Sequence, residues 1–136
     1  MAVTAETVLA GEGRGPVLRL ARPLSFWGGV DPATGAITDP ESGAAGRSLA
    51  GTVLMLPATR GSSSSSAVML ELVARGRAPA AVVLGRLDAI LGLGIVVAAE
   101  LGHAPPPLLR LDPAAQAEFA DGDLVAVGRD GTLARV

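Results

Sequence analysis

Thr52-Val53-Leu54-Met55-Leu56-Pro57-Ala58-Thr59-Arg60-Gly61-Ser62-Ser63-Ser64-Ser65-Ser66-Ala67-Val68-Met69-Leu70-Glu71-Leu72-Val73-Ala74-Arg75-Gly76 is the stretch from which the fold is read. Thr52 to Leu56 is a continuous apolar run of strand length, closed by Pro57, which cannot donate to a ladder. Gly61 turns the chain and five serines follow. From Ser66 to Arg75, Val68, Met69, Leu72 and Val73 recur at helical spacing, Glu71 and Arg75 stand four apart, and Gly76 supplies a stop. Buried strand, turn, then helix is the repeating step of a layered α/β domain. Serines gathered at a helix N-terminus bring hydroxyls next to unpaired backbone N–H groups, and the helix dipole there favours an anion. A plainer role also fits: Ser65 or Ser66 caps the helix and the rest fill a polar connection. The residues alone leave both readings open, although a run wedged between an apolar strand and an apolar helix is not placed like a flexible linker.

Outward from this core, Val3–Leu9 and Val17–Leu20 read as strands joined tightly through Gly11-Glu12-Gly13-Arg14-Gly15-Pro16. Ala80–Leu84 reads as a buried strand and Asp88–Leu91 as a short helix, while Ile95–Leu101 fits strand or helix equally. Pro105–Leu111 reads as a strand, Pro113–Phe119 as a short helix capped by Asp112, and Leu124–Val127 with Thr132–Val136 as a hairpin around Arg129-Asp130-Gly131. No repeat or boundary divides residues 1–136, so one domain is expected. Between Ala21 and Arg47 neither period holds, and a loop of that length in a compact domain is functional or disordered. Its Phe26-Trp27 pair argues against disorder. Adjacent side chains on extended backbone point to opposite sides, so both rarely enter one core, and Trp is enriched at interface hot spots. An interface role for Phe26 and Trp27 is the expectation, against a loop that folds back and buries Trp27.

Composition removes several function classes. The net charge is -2 with no basic run, which speaks against nucleic acid. No apolar stretch reaches the ~20 residues of a membrane span. Met1–Leu9 carries Glu6 and no basic residue, unlike a signal peptide, so a cytoplasmic location is expected. There is no cysteine and only one histidine, His103, so this chain supplies neither thiolates for a cluster nor a metal site of its own. Gly11, Gly13 and Gly15 suggest a nucleotide loop, but Pro16 stands where the dinucleotide pattern needs glycine, and a chain without lysine cannot form a P-loop.

Pro23-Leu24-Ser25-Phe26-Trp27-Gly28-Gly29-Val30-Asp31-Pro32 with Thr34-Gly35, followed by Gly51–Leu54, Leu56-Pro57, Arg60–Ser64 and Ala78–Ala81, resembles the small-subunit family of the aconitase X type over about Gly11 to Val127. The chain departs from that pattern at Asp39-Pro40-Glu41-Ser42, where relatives often carry a histidine. The resemblance implies a swivelling β/β/α domain like the mobile domain of aconitase. It implies a large subunit that carries an iron–sulfur cluster and most of the pocket. It implies dehydration of a small hydroxylated substrate: cis-3-hydroxy-L-proline as in bacterial members, or mevalonate 5-phosphate as in archaeal ones. On the same basis Ser62 is the proton acceptor. Arg60, Gly61, Ser63 and Ser64 are expected to hold substrate at the helix N-terminus, and since the helix alone lowers a serine pKa too little, Arg60 or a partner residue is the candidate to activate Ser62. The first substrate is favoured by a composition that looks bacterial. Two rivals stand beside this reading. Ile95–Leu101 and Asp121–Val125 resemble a phosphohistidine carrier domain, but Leu93 occupies the position of its histidine. A purely structural or regulatory subunit would use the serines only as a cap.

Overall fold

The computed structural model describes residues 2–136. The elements run β1 (Ala2–Thr4), β2 (Glu6–Leu9), β3 (Gly13–Arg19), β4 (Val53–Leu56), α1 (Ser65–Ala74), β5 (Ala81–Leu84), α2 (Ala89–Glu100), β6 (Leu108–Arg110), α3 (Pro113–Gln116), β7 (Leu124–Val127) and β8 (Thr132–Arg135). A 3₁₀ turn, Pro40–Ser42, interrupts the long loop. The strands are ordered β1-β8-β7-β3-β4-β5-β6-β2. β3, β4, β5 and β6 are parallel; β2 closes on β6, and β7, β8 and β1 follow on the other side of β3, all antiparallel.

The first segment is not the single strand expected. It bends at Ala5, whose N–H bonds the Gly131 carbonyl at 2.9 Å, so β1 joins β8 while β2 joins β6. The two outer strands of the sheet are therefore consecutive in the chain, and the sheet curls round to meet itself. The Gly11–Pro16 run is likewise not a tight turn. β3 begins at Gly13, and a Cβ on Gly13 or Gly15 would stand 2.1 Å from the Ala80 or Gly51 carbonyl oxygen, so these glycines are set by close backbone approach within the sheet.

The apolar strand runs are continuous because both faces are buried. Val17, Val53, Met55, Ala81, Val83 and Leu109 point inward, against Phe119, Val125 and Leu133. Their neighbours Leu18, Leu54, Leu56, Val82, Leu84 and Leu108 point outward, under Met69 and Leu72 of α1 and Leu91, Ile95 and Ala98 of α2. Alternation between two cores is the period of a strand, and it gives three layers, β/β/α. The two helices cross closely at Gly94, where a Cβ would stand 2.4 Å from the Ser66 carbonyl oxygen.

Asp88–Leu91 and Ile95–Leu101 prove to be parts of one helix, α2. Asp88 caps it, its Oδ1 accepting from the N–H groups of Ile90 (2.9 Å) and Leu91 (3.2 Å). α1 ends on a Schellman motif: the Gly76 N–H bonds the Val73 carbonyl and the Arg77 N–H the Leu72 carbonyl. α3 stops at Gln116, short of Phe119, and the Asp112 side chain does not cap it but accepts from Arg110 at 2.7 Å. No helix among the described residues is long and apolar enough to cross a membrane.

Candidate functional site

β3, β4 and β5 run parallel, so the chain leaves all three at one edge, where helices α1 and α2 begin. The Pro57–Ser64 loop lies there. The Ser62 carbonyl accepts from the Ser65 N–H (3.1 Å), and the Ser62 Oγ accepts from the Ser64 N–H (3.2 Å). The N–H groups of Gly61, Ser62 and Ser63, and the hydroxyls of Ser63 and Ser64, have no partner among the described residues. Gly61 is exposed, and a Cβ there would meet nothing within 4 Å, so packing within this chain does not require glycine at that position. The loop thus offers three successive unpaired N–H groups beside three hydroxyls at the start of a ten-residue helix.

The expected cap is absent. Ser64 occupies the N-cap position without a side-chain cap bond. Ser65 is buried with its Oγ unpartnered, and the Ser66 Oγ donates to the Ser63 carbonyl at 3.4 Å. The loop is held from its flanks instead. The Thr59 hydroxyl donates to Asp88 Oδ2 at 2.6 Å, tying it to the N-cap of α2.

The second flank joins the two sequence motifs. The Arg60 N–H bonds the Leu24 carbonyl (3.0 Å) and the Leu24 N–H the Ala58 carbonyl (3.4 Å), so Pro23–Phe26 lies along the serine loop. The Arg60 guanidinium donates to Asp39 Oδ2 and to the Pro23 carbonyl, and lies 3.4 Å from Glu41. Asp39, 4% exposed, also accepts from the N–H groups of Ser25 (3.1 Å) and Glu41 (3.0 Å). Burial by itself pushes this carboxyl up; the Ser25 and Glu41 N–H groups and Arg60 outweigh that and hold it below its ordinary value. Asp39 is the hub that sequence reasoning missed. Its Asp-Pro dipeptide signals a cap, but nothing local signals a partner twenty-one residues away. With two carboxylates around it, the Arg60 side chain is committed to the long loop. An uncommitted cation does stand at the mouth: Arg86 lines a depression of about 360 Å³ with Thr59, Gly61 and Asp88, and its guanidinium has no partner among the described residues.

Phe26 and Trp27 separate as extended neighbours do. Phe26, expected at an interface, is 0% exposed in the core beneath the helices, whereas Trp27 is 59% exposed.

A closed β/β/α sandwich with a serine turn at the open end of its parallel strands is a swivelling domain of the aconitase type. The chain belongs to the aconitase X swivel-domain family, whose model matches residues 2–135. Cis-3-hydroxy-L-proline dehydratase of Pseudomonas aeruginosa is 42% identical to it over 129 residues, which take in 90% of this chain and 22% of that protein. A phosphomevalonate dehydratase small subunit of Thermococcus gammatolerans is 39% identical over 98 residues, 72% of this chain and 75% of that one. The crystal structure of holo-form aconitase X from Thermococcus kodakaraensis matches with a TM-score of 0.87 at 30% identity, covering 100% of this chain and 98% of that chain. The chain thus spans about a fifth of the length of the hydroxyproline dehydratases it matches.

An iron–sulfur cluster does not fit the donor set of this chain: it has no cysteine, and no three His, Asp or Glu side chains are grouped for a metal ion among the described residues.

Proposed function

We propose that residues 1–136 form one swivelling unit, the small cytoplasmic subunit of a hydro-lyase that dehydrates cis-3-hydroxy-L-proline. The observation that carries this reading is the serine loop, where the N–H groups of Gly61, Ser62 and Ser63 and the hydroxyls of Ser63 and Ser64 have no partner among the described residues. A larger catalytic chain completes the pocket, and any iron–sulfur cluster takes its thiolates from that chain. Two surfaces support the need for a partner. Trp27 is exposed, and Leu87, Ile90, Leu93, Val96 and Leu101 lie exposed on and around α2, apolar area of the kind an assembly covers.

In this reading Ser62 takes the proton from the carbon beside the one that loses hydroxide. A serine hydroxyl is a poor base until its negative form is stabilised. The Ser64 N–H already donates to the Ser62 Oγ. The helix N-terminus adds at most ~2 kcal/mol, and one pKa unit is ~1.4 kcal/mol, so the fold alone lowers the pKa by only one to two units. Arg60 contributes little, because Asp39 and Glu41 offset its charge. The remaining activation comes from the partner chain, and Ser62 becomes a base only in the assembled site. Gly61, Ser63 and Ser64 cradle the substrate carboxylate with Arg86 beside them, and Arg60 positions the loop.

A second reading is the small subunit of a mevalonate 5-phosphate dehydratase, supported by 39% identity to a phosphomevalonate dehydratase small subunit over 72% of this chain. Turnover of each substrate by the reconstituted pair separates them: the first reading requires the hydroxyproline to be consumed, with water lost only when both chains are present.

A further inference from the structure

Away from the serine loop, uncommitted positive charge gathers at one other place on the same end of the molecule. Arg19, Arg22, Ser42, Arg47 and Asp121 line a depression of about 370 Å³ at the C-terminal end of β3. Three guanidinium groups face one carboxylate here, on a chain whose net charge is -2. The carboxylate is already spent. Asp121 accepts from the Arg19 N–H at 2.6 Å through Oδ1 and from Arg47 at 3.0 Å through Oδ2. Burial pushes its carboxyl up, but those donors outweigh burial and hold it below its ordinary value, so it stays ionised and offsets one arginine.

Asp121 also attracts the Arg19 guanidinium, but one carboxylate cannot neutralise three guanidinium groups, and the pocket keeps a net positive charge. Arg19 uses its Nε on the Phe119 carbonyl (3.0 Å), which leaves both terminal nitrogens without a hydrogen bond among the described residues. The Arg22 guanidinium has no hydrogen bond or ion pair among the described residues, and its Cδ lies 4.0 Å from where a Cβ of Gly43 would stand. The facing wall is firm. The Ser42 Oγ donates to the Asp39 carbonyl (2.7 Å) and accepts from the Ala44 N–H (3.1 Å), so the wall belongs to the turn that anchors Arg60.

We propose that the Arg19–Arg22–Arg47 pocket binds a phosphate-type dianion, a phosphomonoester group or phosphate itself. The net positive charge of the pocket matches a dianion, and guanidinium forks pair with tetrahedral oxyanions through two N–H groups at once. A monocarboxylate would leave one charge unmatched. The group is either the far end of a phosphorylated substrate or a separate phosphate. The binding claim goes beyond the proposed dehydration and does not depend on it.

The test is a titration of the labelled chain with sodium phosphate at constant ionic strength and pH 7.5, followed by NMR. Saturable shifts are expected at the Arg19, Arg22 and Arg47 side-chain N–H groups and the neighbouring amides, with no saturation by sodium acetate. Arg22→Gln, which removes no internal contact, is expected to weaken phosphate binding about tenfold, and Arg14→Gln to leave it unchanged. Absence of saturation by phosphate, equal saturation by acetate, or an Arg22→Gln chain that binds like wild type overturns the proposal. In the reconstituted enzyme, Arg22→Gln raising KM for mevalonate 5-phosphate at constant kcat assigns the pocket to the substrate's own phosphate. Loss of a response to added phosphate during turnover of cis-3-hydroxy-L-proline assigns it to a free anion. No change in either assay overturns a role in the assembly.

Discussion

Ser62 and Trp27 carry the two residue-scale expectations. Ser62→Ala should lower kcat of the reconstituted pair by ~10²–10⁴-fold with little change in KM, because a base acts in the transition state and not in substrate binding. Near-normal turnover would remove Ser62 as the base and leave the loop as a carboxylate cradle. Trp27→Ala should weaken association with the large chain by ~2 kcal/mol, read by calorimetric titration, and leave the melting temperature of the free chain unchanged, since the indole is mostly in solvent. Phe26→Ala should do the reverse and destabilise the free chain by ~3–5 kcal/mol, because Phe26 is enclosed by the outer core. If Trp27→Ala lowers the melting temperature instead, the indole belongs to the fold. The serine loop was legible in the sequence because everything it needs is contiguous: strand end, turn and helix start. Asp39 was not, because its importance lies in contacts from Ser25, Glu41 and Arg60, which only the folded loop brings together.

Elements behave as their packing dictates, and two further outcomes belong at that scale. Gly94→Ala puts a methyl into the Ser66 carbonyl and the Met69 side chain, so α1 and α2 must part, at a cost of ~1–3 kcal/mol measurable by chemical denaturation. Asp39→Asn tests how the long loop is anchored. Because the folded pKa of Asp39 lies below the unfolded one, its charge contributes stability that is full above about pH 4 and is lost as pH falls through the folded value. The variant should therefore be less stable than wild type at pH 7, by ~2 kcal/mol, and the two curves should converge below pH 4. A constant gap at all pH values would mean that shape, not charge, holds the turn. β4, α1, β5 and the final hairpin were readable from period and turn chemistry. α2 was not, because its residues are apolar on nearly every face: Leu91 and Ile95 are buried, whereas Leu93 and Leu101 are exposed. An outer surface that carries exposed apolar side chains erases the amphipathic signal that marks a helix. The split of the first strand at Ala5 was also hidden, since which neighbour each half joins is decided by closure of the sheet.

The whole molecule is a three-layer sandwich whose surface carries groups with no partner among its described residues. The N–H groups at Gly61–Ser63 and the Arg86 guanidinium, without partners among the described residues, and the exposed Trp27 make sense together if another chain brings the rest of the site. In the proposed division of labour this chain supplies the serine loop and a larger chain supplies the rest. Purified by itself, this chain should bind no iron, because it has no cysteine to hold a cluster; iron bound at one equivalent by the free chain would refute that division. The most direct measurement is turnover of cis-3-hydroxy-L-proline by this chain, by the large chain, and by the two mixed in increasing ratio. The expected result is no product from either alone and activity that rises to a plateau as this chain saturates its partner. Product from this chain alone, or a large chain whose rate is unchanged by adding it, would contradict the account.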